Sequence, residues 1–158
     1  MSAERAPALV VRRPGEVVLE ERAIPIPGPG EILIRPAVVG LCGTDLEIVD
    51  GSIDPAYTHY PLVLGHEWSG TVADGQAPAA EGPAPGTLVV GEGIVPCGHC
   101  QHCRAGQTNL CLTYDELGFT RDGAAAGFLT VQRSLVHPLA PASARYTCLL
   151  YTSPSPRD

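Results

Sequence analysis

The sequence predicts a mainly β domain whose short strands fold around one barrel-like core. Three observations carry that expectation. Eighteen glycines and sixteen prolines in 158 residues supply many turns and argue against a helical bundle. The apolar residues come in short runs bounded by those turns, the pattern of strands and not of long helices. Hydrophobic residues make up 44% and charged residues 17%, a globular composition with enough apolar material for one core.

The elements follow in chain order. "ALVVRRPGEVVLEER" reads as two strands joined at Pro14-Gly15, a hairpin. "IPIPGPGE" is a proline-rich connector. "EILIRPAVVGLC" alternates as a strand, with Pro36 marking a bulge or an edge. "TDLEIVDG" has the length of one or two helical turns, with Thr44 or Asp45 as the N-cap. "YPLVLGHEWSGTVADG" carries a buried strand after a turn at Gly65, and "GQAPAAEGPAPG" is a low-complexity loop. "TLVVGEGIV" is a further strand, a cysteine-rich lobe follows, and "GAAAGFLTVQRSLVHPL" holds one or two more strands. Tyr57, Tyr60 and Trp68 are expected to pack structurally.

Charge and patterning narrow the function classes. A formal charge of -7 with no basic stripe argues against a nucleic-acid partner. No run of eighteen apolar residues exists, so a membrane-spanning helix is not expected. "MSAERAPALVVRR" lacks the marks of a secretory signal, which makes the cytoplasm the expected location and reduced thiols the expected state.

Cys97, Cys100, Cys103 and Cys111 are spaced C-x2-C-x2-C-x7-C. Four thiolates drawn together by tight loops suit a tetrahedral Zn2+, and Gly98 and Gly106 let the backbone curl between them. Iron–sulfur ferredoxins share the opening spacing but continue with x3-C-P, which is missing here. Disulfides need an oxidising compartment that the sequence does not announce. The lobe therefore reads as a closed, structural metal cage, with His99 and His102 as exposed loop residues. Cys42 and His66, some two dozen residues apart and each beside a glycine, are the two side-chain types a catalytic zinc prefers. Asp45 is placed to accept the second N–H of His66. Spacing alone leaves this pair open between an active centre and an ordinary core cysteine with a loop histidine.

"GLCGTD", "PLVLGHEWSGTV" and "VPCGHCQHCRAGQTNLC", in that order, resemble the zinc-containing medium-chain alcohol dehydrogenases, and within them the polyol, sugar and threonine dehydrogenase branch. The resemblance spans residue 8 to about residue 141. It implies a GroES-like catalytic domain, a partly open β-barrel with a zinc-binding lobe, normally followed by a Rossmann domain that holds NAD or NADP. It implies Cys42 and His66 as ligands of a catalytic zinc, with Glu67 beside the metal and able to enter its shell. Thr44 matches the position whose hydroxyl meets the substrate oxygen, and Asp45 the carboxylate behind the histidine. Cys97, Cys100, Cys103 and Cys111 match the structural zinc cysteines. The implied partner is a small alcohol, polyol or sugar, and the whole protein is expected as a homo-oligomer. One departure stands out: many relatives carry a proton-relaying histidine shortly after the aspartate, where this chain has Leu46 and Glu47. A scaffold with no catalysis of its own is the competing reading, and the full set of Cys42, Thr44, Asp45, His66 and Glu67 disfavours it, because a scaffold has no use for an open metal position.

"GPGEIL" and "DGAAAGF" contain glycines but neither has the G-x-G-x-x-G turn between strand and helix that a dinucleotide needs. The closing "CLLYTSPSPRD", residues 148 to 158, agrees with the translation of a transposase sequencing adapter and is set apart from fold reasoning. Residues 1–147 are then expected to form an incomplete enzyme, inactive by itself, whose third catalytic-zinc ligand lies beyond this sequence. Cys148 is not expected to serve as that ligand.

Overall fold

The computed structural model describes residues 4–73 and 82–139. Along the chain run β1 (Arg5–Arg13), β2 (Glu16–Ala23), β3 (Glu31–Gly40), helix α1 (Gly43–Asp50), β4 (Leu62–Val63), β5 (Glu67–Val72), β6 (Leu88–Gly91) and β7 (Ile94–Val95). The short helix α2 (Gln101–Arg104), β8 (Asp115–Glu116), β9 (Leu129–Gln132) and β10 (Val136–Pro138) follow. The strands form a five-stranded sheet ordered β10-β6-β5-β3-β9, a three-stranded sheet ordered β2-β1-β4, and the β7-β8 pair. Among the described residues the named strands all pair antiparallel, and the mainly β, half-barrel architecture is the one expected. The closing segment that agrees with the adapter, Cys148 included, and most of the low-complexity loop lie outside the described residues.

The hairpin closes at Pro14-Gly15, where Gly15 adopts φ 79°, a left-handed conformation that glycine takes at no steric cost. Pro36 marks a bulge, the β3–β5 register shifting between Pro36 and Val38, in a stretch of β3 that lies beyond its pairing with β9. The β9 pairing covers only Glu31 to Ile34, so the missing N–H of Pro36 interrupts no bond on that side. "TLVVGEGIV" divides into β6 and β7 instead of continuing as one strand, and "YPLVLG" adds the short β4 before Gly65.

Ile32 and Ile34 from β3, Trp68 and Val72 from β5, and Val89 from β6 form the main core with Leu129 and Val131 from β9. Each such side chain contributes roughly 1.5–3 kcal/mol on burial. Trp68 lies flat enough against β6 that a Cβ at Gly91 would collide with its ring, so glycine is required there. A second cluster, Val11, Ile48, Leu62 and Leu64, seats α1 on the three-stranded sheet, and the Tyr60 hydroxyl donates to the Ile48 carbonyl at 2.6 Å. Trp68 and Tyr60 thus pack as expected. Tyr57, 59% exposed, does not.

Candidate functional site

The register of two strands builds the first constellation. Gly40 at the end of β3 pairs with Glu67 at the start of β5, so the residues just beyond, Cys42 and His66, meet at one end of the sheet. Cys42 Sγ lies 3.5 Å from His66 Nε2. On a tetrahedral zinc with Zn–S of about 2.3 Å and Zn–N of about 2.0 Å, sulfur and nitrogen stand roughly 3.5 Å apart, so the pair fits the ion. Gly65 holds the turn with φ 95°, and a Cβ there would strike Val39. The glycine beside the histidine is therefore structural.

Helix α1 fixes the cysteine. The N-cap is Cys42, and not Thr44 or Asp45 as the residue preferences suggest. Its sulfur accepts the Thr44 N–H at 3.3 Å, and Asp45 at the third helical position accepts the Cys42 N–H at 2.8 Å, a reciprocal capping box. The cap is a sulfur because the same atom faces the histidine. Asp45 is 2% exposed, and its second oxygen stands 3.8 Å from His66 Nδ1. Among the described residues neither of these two buried atoms has a hydrogen-bond partner, and Glu67 Oε2 shares that condition. Cys42, Asp45 and His66 present atoms within 4.8 Å of one another; Glu67 is not in that group, although it lines a cleft together with His66. Leu46 and Glu47 are exposed.

The cleft, about 450 Å³, is also lined by Glu92, Gly93, Glu116 and His137. The Phe119 ring stacks at 5.3 Å against His66. Burial pushes the Glu116 carboxyl above its usual range, with His66 opposing. Sequence reading alone passes over Glu116 and Phe119, which belong to no motif: the β7–β8 ladder carries Glu116 to the cleft, and the turn after it brings Phe119 against His66.

The second constellation is local. Cys97, Cys100, Cys103 and Cys111 all bring sulfur within 4.8 Å, and the Cys97 and Cys103 sulfurs are 3.9 Å apart. Two sulfurs on one tetrahedral zinc stand about 3.8 Å apart, whereas a disulfide needs roughly 2.05 Å. All four are free thiols. Backbone N–H groups of Cys97, Cys100 and Cys103 donate to the sulfurs of Cys111, Cys97 and Cys100 in turn. Gly98 and Gly106 take φ 76° and 77°, the curl expected of them. The Thr113 hydroxyl, helped by backbone N–H groups, holds the Cys97 thiol down to about 5. Burial pushes Cys103 up to about 12. His99 is exposed and bonds the Cys97 carbonyl at 2.8 Å. His102 is half-buried in α2 and faces Gln107, so it is not the exposed loop residue expected; neither histidine joins the sulfurs.

A separate cavity of about 320 Å³ beside Arg22, Arg121 and Asp122 contains no such donors. Its arginines are already matched, Arg22 to Asp122 at 3.3 Å and Arg121 to Glu31 at 3.4 Å.

Residues 28–141 match the model of the alcohol dehydrogenase GroES-like domain. The erythritol/L-threitol dehydrogenase of Mycolicibacterium smegmatis is 37% identical over 150 residues, covering 87% of this chain and 41% of that protein. The L-threonine 3-dehydrogenase of Deinococcus radiodurans is 40% identical over 126 residues, covering 78% of this chain and 36% of that one. The crystal structure of an Escherichia coli alcohol dehydrogenase, rspB, complexed with NADH superposes with a TM-score of 0.79 at 30% identity, covering 90% of this chain and 40% of that chain. The chain thus spans about two-fifths of the length of the relatives it matches. With the family match over residues 28–141 and these relatives, the chain belongs to the alcohol dehydrogenase GroES-like domain family of the zinc-containing medium-chain dehydrogenases.

Proposed function

We propose that this chain is the catalytic half of a zinc-dependent NAD(P) dehydrogenase acting on a small alcohol, polyol or sugar. The observation that carries this reading is the 3.5 Å approach of Cys42 Sγ to His66 Nε2 with the buried Asp45 carboxylate behind the ring. Cys42 and His66 hold a catalytic zinc, and the partnerless Glu67 Oε2, in the cleft that Glu67 lines with His66, is available to complete its shell. Cys97, Cys100, Cys103 and Cys111 hold a second, structural zinc. A zinc ion held at Cys42 and His66 would supply Lewis acidity toward an alcohol oxygen, the chemistry that a nicotinamide-dependent dehydrogenase needs.

The chain's own residues do the rest. Asp45 faces Nδ1 and thereby orients the ring so that Nε2 points toward the sulfur. Thr44 is anchored through its N–H to the Cys42 sulfur, and its hydroxyl would accept a hydrogen bond from the alcohol O–H and pass its own proton on to solvent as the alcohol proton arrives. Phe119 packs on His66 and shields that side of the ring from water.

Metal analysis of the purified chain tests the assignment. Two zinc ions per chain are expected under zinc saturation, one tight and one exchangeable. Cys42→Ser removes the exchangeable ion alone, with a loss of at least about tenfold in its affinity. A zinc content that Cys42→Ser leaves unchanged sinks the assignment.

A further inference from the structure

We propose that Glu116 is a specificity-determining residue of the cleft, favouring alcohols that carry a cationic group and rejecting those that carry an anionic one. The inference rests on the cleft being the substrate site and adds the charge class of the substrate.

The Glu116 side chain is half-buried, lines the cleft beside His66, and among the described residues receives no hydrogen bond or close ion pair. Its backbone, by contrast, is held firmly. Its N–H donates to the Thr120 hydroxyl at 2.9 Å, and its carbonyl accepts from Phe119, Thr120 and Arg121 at 3.3, 3.1 and 3.2 Å. The residue also sits opposite Ile94 in the β7–β8 ladder. The carboxylate is therefore presented to the cleft from a rigid mount and is not swept away on a loop.

The other charged groups around the cavity are already accounted for. Glu92 is met by His137 at 2.8 Å. Glu67 and His66 belong to the zinc-site reading. Glu116 faces His66 across the cleft but, among the described residues, makes no hydrogen bond or close ion pair with it, and is left as a carboxylate partly withdrawn from water, where an incoming counter-charge at close range is rewarded. A ligand ammonium supplies that counter-charge. A phosphate, sulfonate or carboxylate in the same place meets repulsion in a medium that screens poorly.

The test uses two probes that share a hydroxyethyl group and differ in permanent charge, choline and 2-hydroxyethanesulfonate. The zinc-loaded chain is titrated with each, and binding is read from the backbone amide resonance of Glu116 and its neighbours. Choline is expected to bind more tightly, and Glu116→Gln lowers the choline-to-sulfonate affinity ratio about fivefold or more. Glu92→Gln, at an exposed carboxylate already hydrogen-bonded to His137, moves the ratio less than about twofold. An unchanged ratio in Glu116→Gln, an equal fall in Glu92→Gln, or tighter sulfonate binding by the unsubstituted chain overturns the proposal. Failure of the zinc-site reading is seen separately, as a metal content indifferent to Cys42→Ser.

Discussion

Cys97, Cys100, Cys103 and Cys111 meet through turns inside a segment of fifteen residues, whereas Cys42 and His66 meet because two strands pair in one register. The lobe's sulfurs are organised by N–H donors from the cysteines themselves and by glycines in left-handed turns. The cleft pair owes its geometry to β3, β5, the α1 cap and the packing beneath them. A locally specified site tolerates damage elsewhere. A site made by register inherits every weakness of the sheet.

The largest expected effect separates the two. Cys100→Ser removes a ligand of the lobe, where bound zinc contributes folding energy outright. Thermal unfolding of the zinc-loaded chain is expected to fall by on the order of 10 °C. Cys42→Ser, which keeps a cap-forming side chain at the helix start, is expected to shift it by less than about 2 °C. Equal shifts in the two variants erase the distinction.

Gly91→Ala sharpens the comparison from the other side. The new Cβ meets the Trp68 ring on the strand that leads from His66, at a cost of roughly 1–3 kcal/mol. The exchangeable zinc is expected to weaken several-fold while the tight one stays, as measured by metal retention after gel filtration. Loss of both ions together shows instead that the lobe depends on the sheet.

The smallest effect lies within the lobe. With zinc removed, Cys97 is held down to about 5 and is thiolate at neutral pH, while Cys103, pushed up to about 12, keeps its proton. Iodoacetamide at pH 7 is expected to label Cys97 well before Cys103, and zinc to protect both; peptide mapping by mass spectrometry reads the order. The two thiols also pull stability in opposite directions. Cys97, lowered from 9, favours the fold above that value and loses its contribution as pH falls through about 5. Cys103, raised, contributes below 9 and loses its contribution as pH climbs toward about 12.

What could be read in the sequence follows the same local and long-range divide. The Pro14-Gly15 hairpin, the bulge at Pro36 and the curl at Gly98 and Gly106 are each dictated by the φ preferences of one or two residues, and each is where it was expected. The cysteine spacing points to a metal cage without any tertiary information, and the structure gathers the four sulfurs within 4.8 Å. The helix cap was misplaced, because cysteine is a poor cap by statistics and its sulfur is set here by the histidine it faces. His102 differs from expectation because it stands on the short helix α2, half-buried beside the side chain of Gln107. Glu67 matched a motif yet stands outside the Cys42, Asp45 and His66 group. Glu116 matched nothing, because "TYDELGF" has no pattern until a two-residue ladder sets it across from Ile94.

The 24-residue separation between Cys42 and His66 also has a bearing on how the protein assembles. The cysteines of the lobe follow one another at steps as short as three residues. From three to twenty-four is three doublings, and each doubling of a flexible loop adds about 0.6 kcal/mol to the entropy of closing it. Ribosomal synthesis releases Cys42 and His66 before any lobe cysteine, yet their encounter waits on the zipping of β3 against β5. The lobe needs only short excursions of its own segment. Metal capture in the nascent chain is thus ordered by the ease of closure and not by the order of translation, and the last-made ligands are the first to close.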